Sequence, residues 1–190
     1  ILPYTENYGW IEIIEEAITL YDIKHKKNTT LQNYIMDLNP KRTIEELRNN
    51  FKNTCVSSCV LCYILGVGDR HTENIIINKY GELVHIDFSY IMGEDPKNIA
   101  VEMKITPGML QMLGGKKSKH FQLFKKLCSH IYKIIRKRSS LWYMLLTFLA
   151  FNKPEIYPYY NNYKFIKTYV IKKLIPGEFD EEGSMQIKAV

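Results

Sequence analysis

Between Thr43 and Gly68 the chain spells out a long helix with both ends marked, and this run limits the folds open to it. Thr43-Ile-Glu-Glu46 is a capping box: the threonine hydroxyl accepts from the third helical amide, and Glu46 reaches back to the cap amide. Ile44, Leu47, Phe51, Cys55, Cys59 and Cys62 then recur near the helical period, and Gly66 and Gly68 stop the run. Cys55, Cys59 and Cys62 share one helix face, where cysteine behaves as a small hydrophobe. Cys59 and Cys62 form a C-x-x-C, but no second pair follows at zinc-finger spacing, so these cysteines are expected to pack. Nothing in the cysteine usage demands an oxidising compartment, which favours an intracellular protein.

The remaining elements follow from periodicity and punctuation. Trp10 to Ile14 reads as a strand, and Thr30 to Met36 as a short helix capped by Thr29 or Thr30. Asn74 to Asn78 and Leu83 to Phe88 are β-rich and joined at Lys79-Tyr-Gly81, which predicts a hairpin. In its second strand Val84 and Ile86 face one way, and His85 and Asp87 the other. Ser89 to Ile105 shows no clear period. Thr106-Pro107 opens a helix with proline at its first position, and Gly114-Gly115 closes it. Ser118 to about Arg138 is amphipathic. Leu141 to Phe151 is apolar nearly all round, so it is expected at the centre of the core, with Pro154 ending it. Asn161 to Leu174 is a further helix candidate.

The fold class is therefore mainly α with a small β-hairpin, in one unit over residues 1–190. Hydrophobic residues make up 46% and charged residues 24% of the 190, which excludes a disordered or low-complexity chain. The apolar run at Leu141 is too short for the roughly 20 residues of a membrane span. The first residues have neither the basic nor the apolar region of a secretory signal.

Chemistry concentrates in Gly66 to Gly93. Asp69, Arg70, His71 and Asn74 lie on the loop between the long helix and the hairpin, and Asp87 ends the second strand. The hairpin brings Asn74 and Asp87 to the same end. A side-chain carbonyl beside a carboxylate is a hard-oxygen pair suited to Mg²⁺. Asp69 and His71 are within reach of a substrate hydroxyl, which completes the inventory of phosphoryl transfer. Any one of these residues could serve structure alone. The joint pattern, Asp-x-His-x-x-Asn, an apolar strand, a turn and His-Ile-Asp-Phe, is far more specific.

On these residues the sequence resembles the catalytic domain of the phosphatidylinositol 3-/4-kinase superfamily, and within it the class III phosphatidylinositol 3-kinases. Gly68-Asp-Arg-His-Thr-Glu-Asn74 stands where the family has its catalytic loop, and Asp87-Phe-Ser89 where it has its metal-binding Asp-Phe-Gly. Tyr90-Ile-Met-Gly-Glu-Asp-Pro-Lys97, Met103 to Pro107 and Met112 to Gly115 match its activation segment. The resemblance implies the C-terminal lobe of a kinase-like α+β fold, with catalytic loop 66–74, metal motif 87–89 and activation segment 89–107. It implies Asp69 and His71 as the catalytic pair, Arg70 as the residue that shapes their loop, and Asn74 and Asp87 as ligands of Mg²⁺ (or Mn²⁺) on ATP. Lys97 and Lys104 would face the anionic head group. The implied activity is transfer of the ATP γ-phosphate to phosphatidylinositol at the 3-position. Alternatives are a related Ser/Thr protein kinase and a degenerate lobe used as a binding module.

Two departures stand out. Ser89 replaces the family's glycine, whose backbone angles serine reaches only with strain. No glycine-rich phosphate loop and no upstream phosphate-contacting lysine is present, so the N-terminal ATP-binding lobe is expected outside this chain, as a partner alongside possible regulatory subunits. The net charge is +6, and Lys116 to Arg138 holds nine basic residues and no acidic one. That reads first as a solvated helix face and second as attraction to an anionic membrane surface. Nucleic acid is not expected as a partner, because no DNA- or RNA-binding signature accompanies the charge. The expected location is cytoplasmic, or peripheral on endomembranes.

Overall fold

The computed structural model describes residues 2–5, 7–97, 103–152 and 163–174. The chain opens with strands β1 (Leu2–Pro3) and β2 (Gly9–Trp10), paired antiparallel. Strand β3 (Ile18–Thr19) and helices α1 (Leu20–His25), α2 (Leu31–Leu38) and α3 (Ile44–Leu65) follow. Strands β4 (Ile75–Ile77) and β5 (Leu83–His85) form the hairpin. Helices α4 (Pro107–Met112), α5 (Lys119–Arg136), α6 (Ser139–Asn152) and α7 (Tyr163–Leu174) complete the described elements. The result is mostly helical with small antiparallel sheets, as a kinase-like α+β lobe requires.

Helix α3 is the axis. Its capping box forms as the sequence predicts: Thr43 Oγ1 accepts from the Glu46 amide, and the Thr43 amide donates to Glu46 Oε2 at 2.8 Å. Gly66 caps the other end in the left-handed conformation, with φ 56°. Leu47, Phe51, Cys55, Cys59 and Ile64 line the buried side of α3. They pack against α5, the sheet and α7. All four cysteines are free and buried, and burial is the first cause that pushes the Cys62 thiol up to about 12. Their role is packing.

Caps on the shorter helices also match their sequence signals. Thr30 caps α2, Thr106 caps α4 with Pro107 in its first turn, and Ser118 caps α5. Phe121, Phe124, Cys128 and Tyr132 form the buried face of α5. The predicted hairpin gains a third strand, because β3 pairs with β4 in the order β3-β4-β5.

Four expectations are corrected. The strand at Trp10 to Ile14 stops after Trp10. Ile11 and Ile13 are exposed, and no described strand pairs with them. The second hairpin strand ends at His85, and Asp87 takes a positive φ of 60°, so it does not continue the alternation with His85. Ser89 is not where the left-handed backbone falls; that conformation lies on Asp87 and, further on, Met92.

Helix α6 is not central to the core. Among its described side chains only Leu146 is buried, while Met144, Leu145 and Phe148 are exposed. Apolar residues on every side show that a helix needs cover; they do not say what supplies it. Among the described elements α7 is its main neighbour. Pro154 and the first residues of the predicted Asn161 helix lie outside the described residues.

His85 points into the interior with both ring nitrogens unpartnered among the described residues. Burial, and then the charge of Arg70, lower its pKa from 6.5 to about 4. The unfolded chain therefore binds a proton on this ring at a higher pH than the folded one. Stability should fall as the pH drops below about 6.5 and level off below about 4, a loss of about 3 kcal/mol. Denaturant unfolding at pH 7.5 and pH 4.5 should show His85→Leu losing less stability between the two than the native chain; equal losses would contradict the assignment.

Candidate active site

The loop 66–74 is built where α3 ends. The αL cap at Gly66 turns the chain, and Val67 donates back to the Cys62 carbonyl at 2.9 Å. The segment after the hairpin then runs alongside. Met92 donates to Leu65 O at 2.7 Å, Gly93 to Gly66 O at 2.9 Å, and Gly68 to Tyr90 O at 2.9 Å. The two strips lie so close that both glycines are needed. A Cβ on Gly66 would sit 2.6 Å from the Gly93 nitrogen and 2.6 Å from the Tyr169 hydroxyl; one on Gly68 would overlap the Glu94 carbonyl. Helix α7 braces the same corner, where Tyr169 donates to Ile64 O at 2.8 Å.

Arg70 is buried and spends its guanidinium on backbone. Its Nε donates to Gly68 O at 2.8 Å, one terminal nitrogen to Ile86 O at 2.7 Å, and the other to Asp87 O. Burial lowers its pKa, opposed by Cys62, Asp87 and Asp69 nearby. It also lies over the Phe88 ring at 5.6 Å. Arg70 thus links the loop to the segment that carries Asp87.

Asp69 takes a positive φ of 50°. Its Oδ2 lies 3.5 Å from His71 Nε2. The Glu73 amide donates to His71 Nδ1 at 3.2 Å, which makes Nδ1 the acceptor and puts the proton of the neutral ring on Nε2, facing Asp69. The Glu73 carboxylate is also near Nδ1, at 3.6 Å, beyond hydrogen-bond range, so the amide contact decides the tautomer. Asn74 donates from Nδ2 to Asp69 O at 3.0 Å, leaving its side-chain carbonyl as the acceptor. Its backbone carbonyl accepts from Ile86 N at 3.0 Å, which fixes it beside the end of β5.

Asp87 is exposed. The Ser89 hydroxyl donates to Asp87 Oδ1 at 2.7 Å and the Ser89 amide to the same oxygen at 3.0 Å. These two bonds, the hydroxyl first, hold the carboxyl below its usual range.

Lys97 and Lys104 share a cleft with Asp69 and His71. A cleft of about 210 Å³ is lined by Val67, Asp69, Arg70, His71, Asp95, Lys97 and Lys104. Asp95, to which the sequence assigns no role, lines the same cleft. Its Oδ2 accepts from the Asp69 amide at 3.0 Å and its Oδ1 from the Lys97 amide at 2.8 Å, the first lowering its pKa most. It fastens the strip after the hairpin to the loop. The pattern carried a signal for it, since an aspartate before proline readily accepts from amides two residues on. Residues 98–102, the middle of that segment, lie outside the described residues.

No three His, Cys, Asp or Glu side chains converge as a metal cage among the described residues. The candidate oxygen donors are the Asn74 side-chain carbonyl and the Asp87 carboxylate, of which Oδ1 takes both Ser89 bonds. Few protein oxygens with room for phosphate and water suit a Mg²⁺ ion that arrives with a nucleotide.

The phosphatidylinositol 3- and 4-kinase family model matches residues 7–153. Phosphatidylinositol 3-kinase pik3 of Schizosaccharomyces pombe is 38% identical over 183 residues, covering 92% of this chain and 22% of that protein. Phosphatidylinositol 3-kinase VPS34 of Candida glabrata is 38% identical over 152 residues, 74% of this chain and 17% of its own. The VPS34 of Arabidopsis thaliana is 38% identical over 102 residues, 54% of this chain and 12% of its own. The chain therefore spans about a fifth or less of the length of these curated relatives. With the matched span covering the loop, the hairpin and the activation segment, the chain belongs to the phosphatidylinositol 3- and 4-kinase family.

Proposed function

We propose that the protein carrying this chain is a lipid kinase that transfers the γ-phosphate of ATP to the 3-hydroxyl of phosphatidylinositol. The observation that carries this reading is the shared cleft, in which Asp69 and His71 meet Lys97 and Lys104. Two cations beside a proton acceptor fit a substrate that brings both a hydroxyl and an anionic head group. The names of the relatives support the same substrate class.

In this reading Asp69 accepts the proton of the attacking hydroxyl. Nδ1 of His71 is taken up by the Glu73 amide and Nε2 lies 3.5 Å from Asp69 Oδ2, so the carboxylate is read as the base of the pair. His71 steadies that carboxylate and adds positive character as charge develops. The inositol oxygen bonds to the γ-phosphorus, the bond from the γ-phosphorus to the β–γ bridging oxygen breaks, and ADP departs. Asn74 and Asp87 hold the ion that neutralises the phosphates, Mg²⁺ or Mn²⁺. Lys97 and Lys104 orient the head group, and Arg70 keeps loop and metal segment in register.

The rest of the ATP cradle is assigned to an N-terminal lobe. The exposed Leu2, Tyr4, Trp10 and Ile13 give such a lobe an apolar face to cover. No helix among the described residues is long and apolar enough to cross a membrane. The protein is read as peripheral, working on endomembranes, with regulatory subunits as possible partners.

The longest native polypeptide containing this segment, incubated with labelled Mg-ATP and phosphatidylinositol vesicles, should yield a 3-phosphorylated lipid. Asp87→Ala should abolish it. An undiminished product in Asp87→Ala, or phosphoprotein in place of phospholipid, would contradict the reading. Asp69→Asn should lower kcat by about 10²- to 10⁴-fold, the usual worth of a positioned general base. The kcat/KM profile of the native protein should show no acidic limb near pH 6.5, where a histidine base would lose activity. Such a limb, abolished in His71→Gln, would transfer the base role to His71.

A further inference from the structure

The Ser89 hydroxyl donates to Asp87 Oδ1, a bond no glycine at that position can make. We propose that Ser89 is a positioning residue for Asp87, whose hydroxyl fixes the carboxylate so that one oxygen is held ready for the metal-nucleotide. This rests on the proposed role of Asp87 as a metal ligand.

Asp87 needs such help. It is exposed, it follows the last paired residue of β5, and its backbone is in the left-handed region at φ 60°. Its side chain is exposed, whereas Asn74 is buried and tied to Asp69 O. The Ser89 hydroxyl at 2.7 Å and the Ser89 amide at 3.0 Å converge on the same oxygen, Oδ1. The amide would remain with any residue at 89. It restrains one oxygen through a single bond, about which the carboxylate can still turn. The hydroxyl adds a second donor from another direction and fixes the plane of the group. Oδ2 is then presented to the ion by default, and Asp87 is biased toward binding through one oxygen. The backbone at Ser89 is not left-handed, so the side chain is accommodated without the strain that a glycine replacement would suggest. The turn places its left-handed residue at Asp87 and the two Ser89 donors two residues on.

Outer-shell hydrogen bonds to metal ligands are worth about 10- to 100-fold in metal affinity, and an exposed clamp belongs at the low end. The test uses the longest native polypeptide with a non-hydrolysable ATP analogue. Mn²⁺ binding is read by the loss of free-ion electron paramagnetic resonance signal. Ser89→Ala should weaken Mn²⁺ binding about tenfold while analogue binding in excess chelator is unchanged. Ser89→Thr, which keeps the hydroxyl, should restore it. In phosphotransfer, the deficit of Ser89→Ala should shrink as free Mg²⁺ is raised, which a merely structural role would not produce.

Equal Mn²⁺ affinity for native protein and Ser89→Ala would overturn the proposal. So would failure of Ser89→Thr to restore binding with the melting temperature unchanged. Asp87→Asn runs beside them. If it leaves Mn²⁺ binding intact, the metal role of Asp87 falls; if it abolishes binding while Ser89→Ala does not, only the positioning role falls.

Discussion

Arg70 donates from three nitrogens to the carbonyls of Gly68, Ile86 and Asp87, and most of the site depends on that arrangement. The loop that carries Asp69, His71 and Asn74 and the segment that carries Asp87 and Ser89 come from opposite sides of a hairpin. A charged, planar donor buried between them satisfies carbonyls that would otherwise lie unpaired, and it costs less to bury because those carbonyls replace its water. Arg70 therefore contributes to the chemistry by fixing the spacing between the proposed base and the proposed metal ligand.

Other contacts close the site around this link. Glycines at 66 and 68 let the strip 90–94 approach the loop more closely than any side chain would allow. Asp95 binds the Asp69 amide from the far side, and Tyr169 on α7 anchors the last turn of α3. The backbone at Asp69 and Asp87 is left-handed, a conformation non-glycine residues keep only when the surroundings enforce it. Those surroundings are the Arg70, Asn74, Asp95 and Ser89 hydrogen bonds. Lys97, two residues beyond Asp95, lines the cleft with Asp69, and Lys104 lines it too.

The sequence made much of this legible, for reasons that differ by residue. Caps at Thr30, Thr43, Thr106 and Ser118 are local chemistry, so a short window reveals them. The hairpin was legible from β-rich runs around Lys79-Tyr-Gly81, but not its third strand, since Ile18–Thr19 is too short to carry a period. The grouping of Asp69, His71, Asn74 and Asp87 was legible from spacing and resemblance. The bond from the Asp69 amide to Asp95 was not, because it joins residues 26 apart; only the local turns, Asp95 to the Lys97 amide and Asp87 to the Ser89 amide, have a sequence signal. Helix α6 shows the limit of composition. Its sequence demands cover on all sides, and the described elements leave much of it open.

The coupling through Arg70 is tested most directly by Arg70→Lys, which keeps the charge but cannot reach all three carbonyls. Amide hydrogen exchange would be followed in native and variant polypeptide. The account predicts faster exchange at both 68–74 and 86–90, with exchange along α5 unchanged, and phosphotransfer lowered by about 10²-fold through misplacement of the reacting groups. Native exchange in both segments together with native phosphotransfer would contradict it.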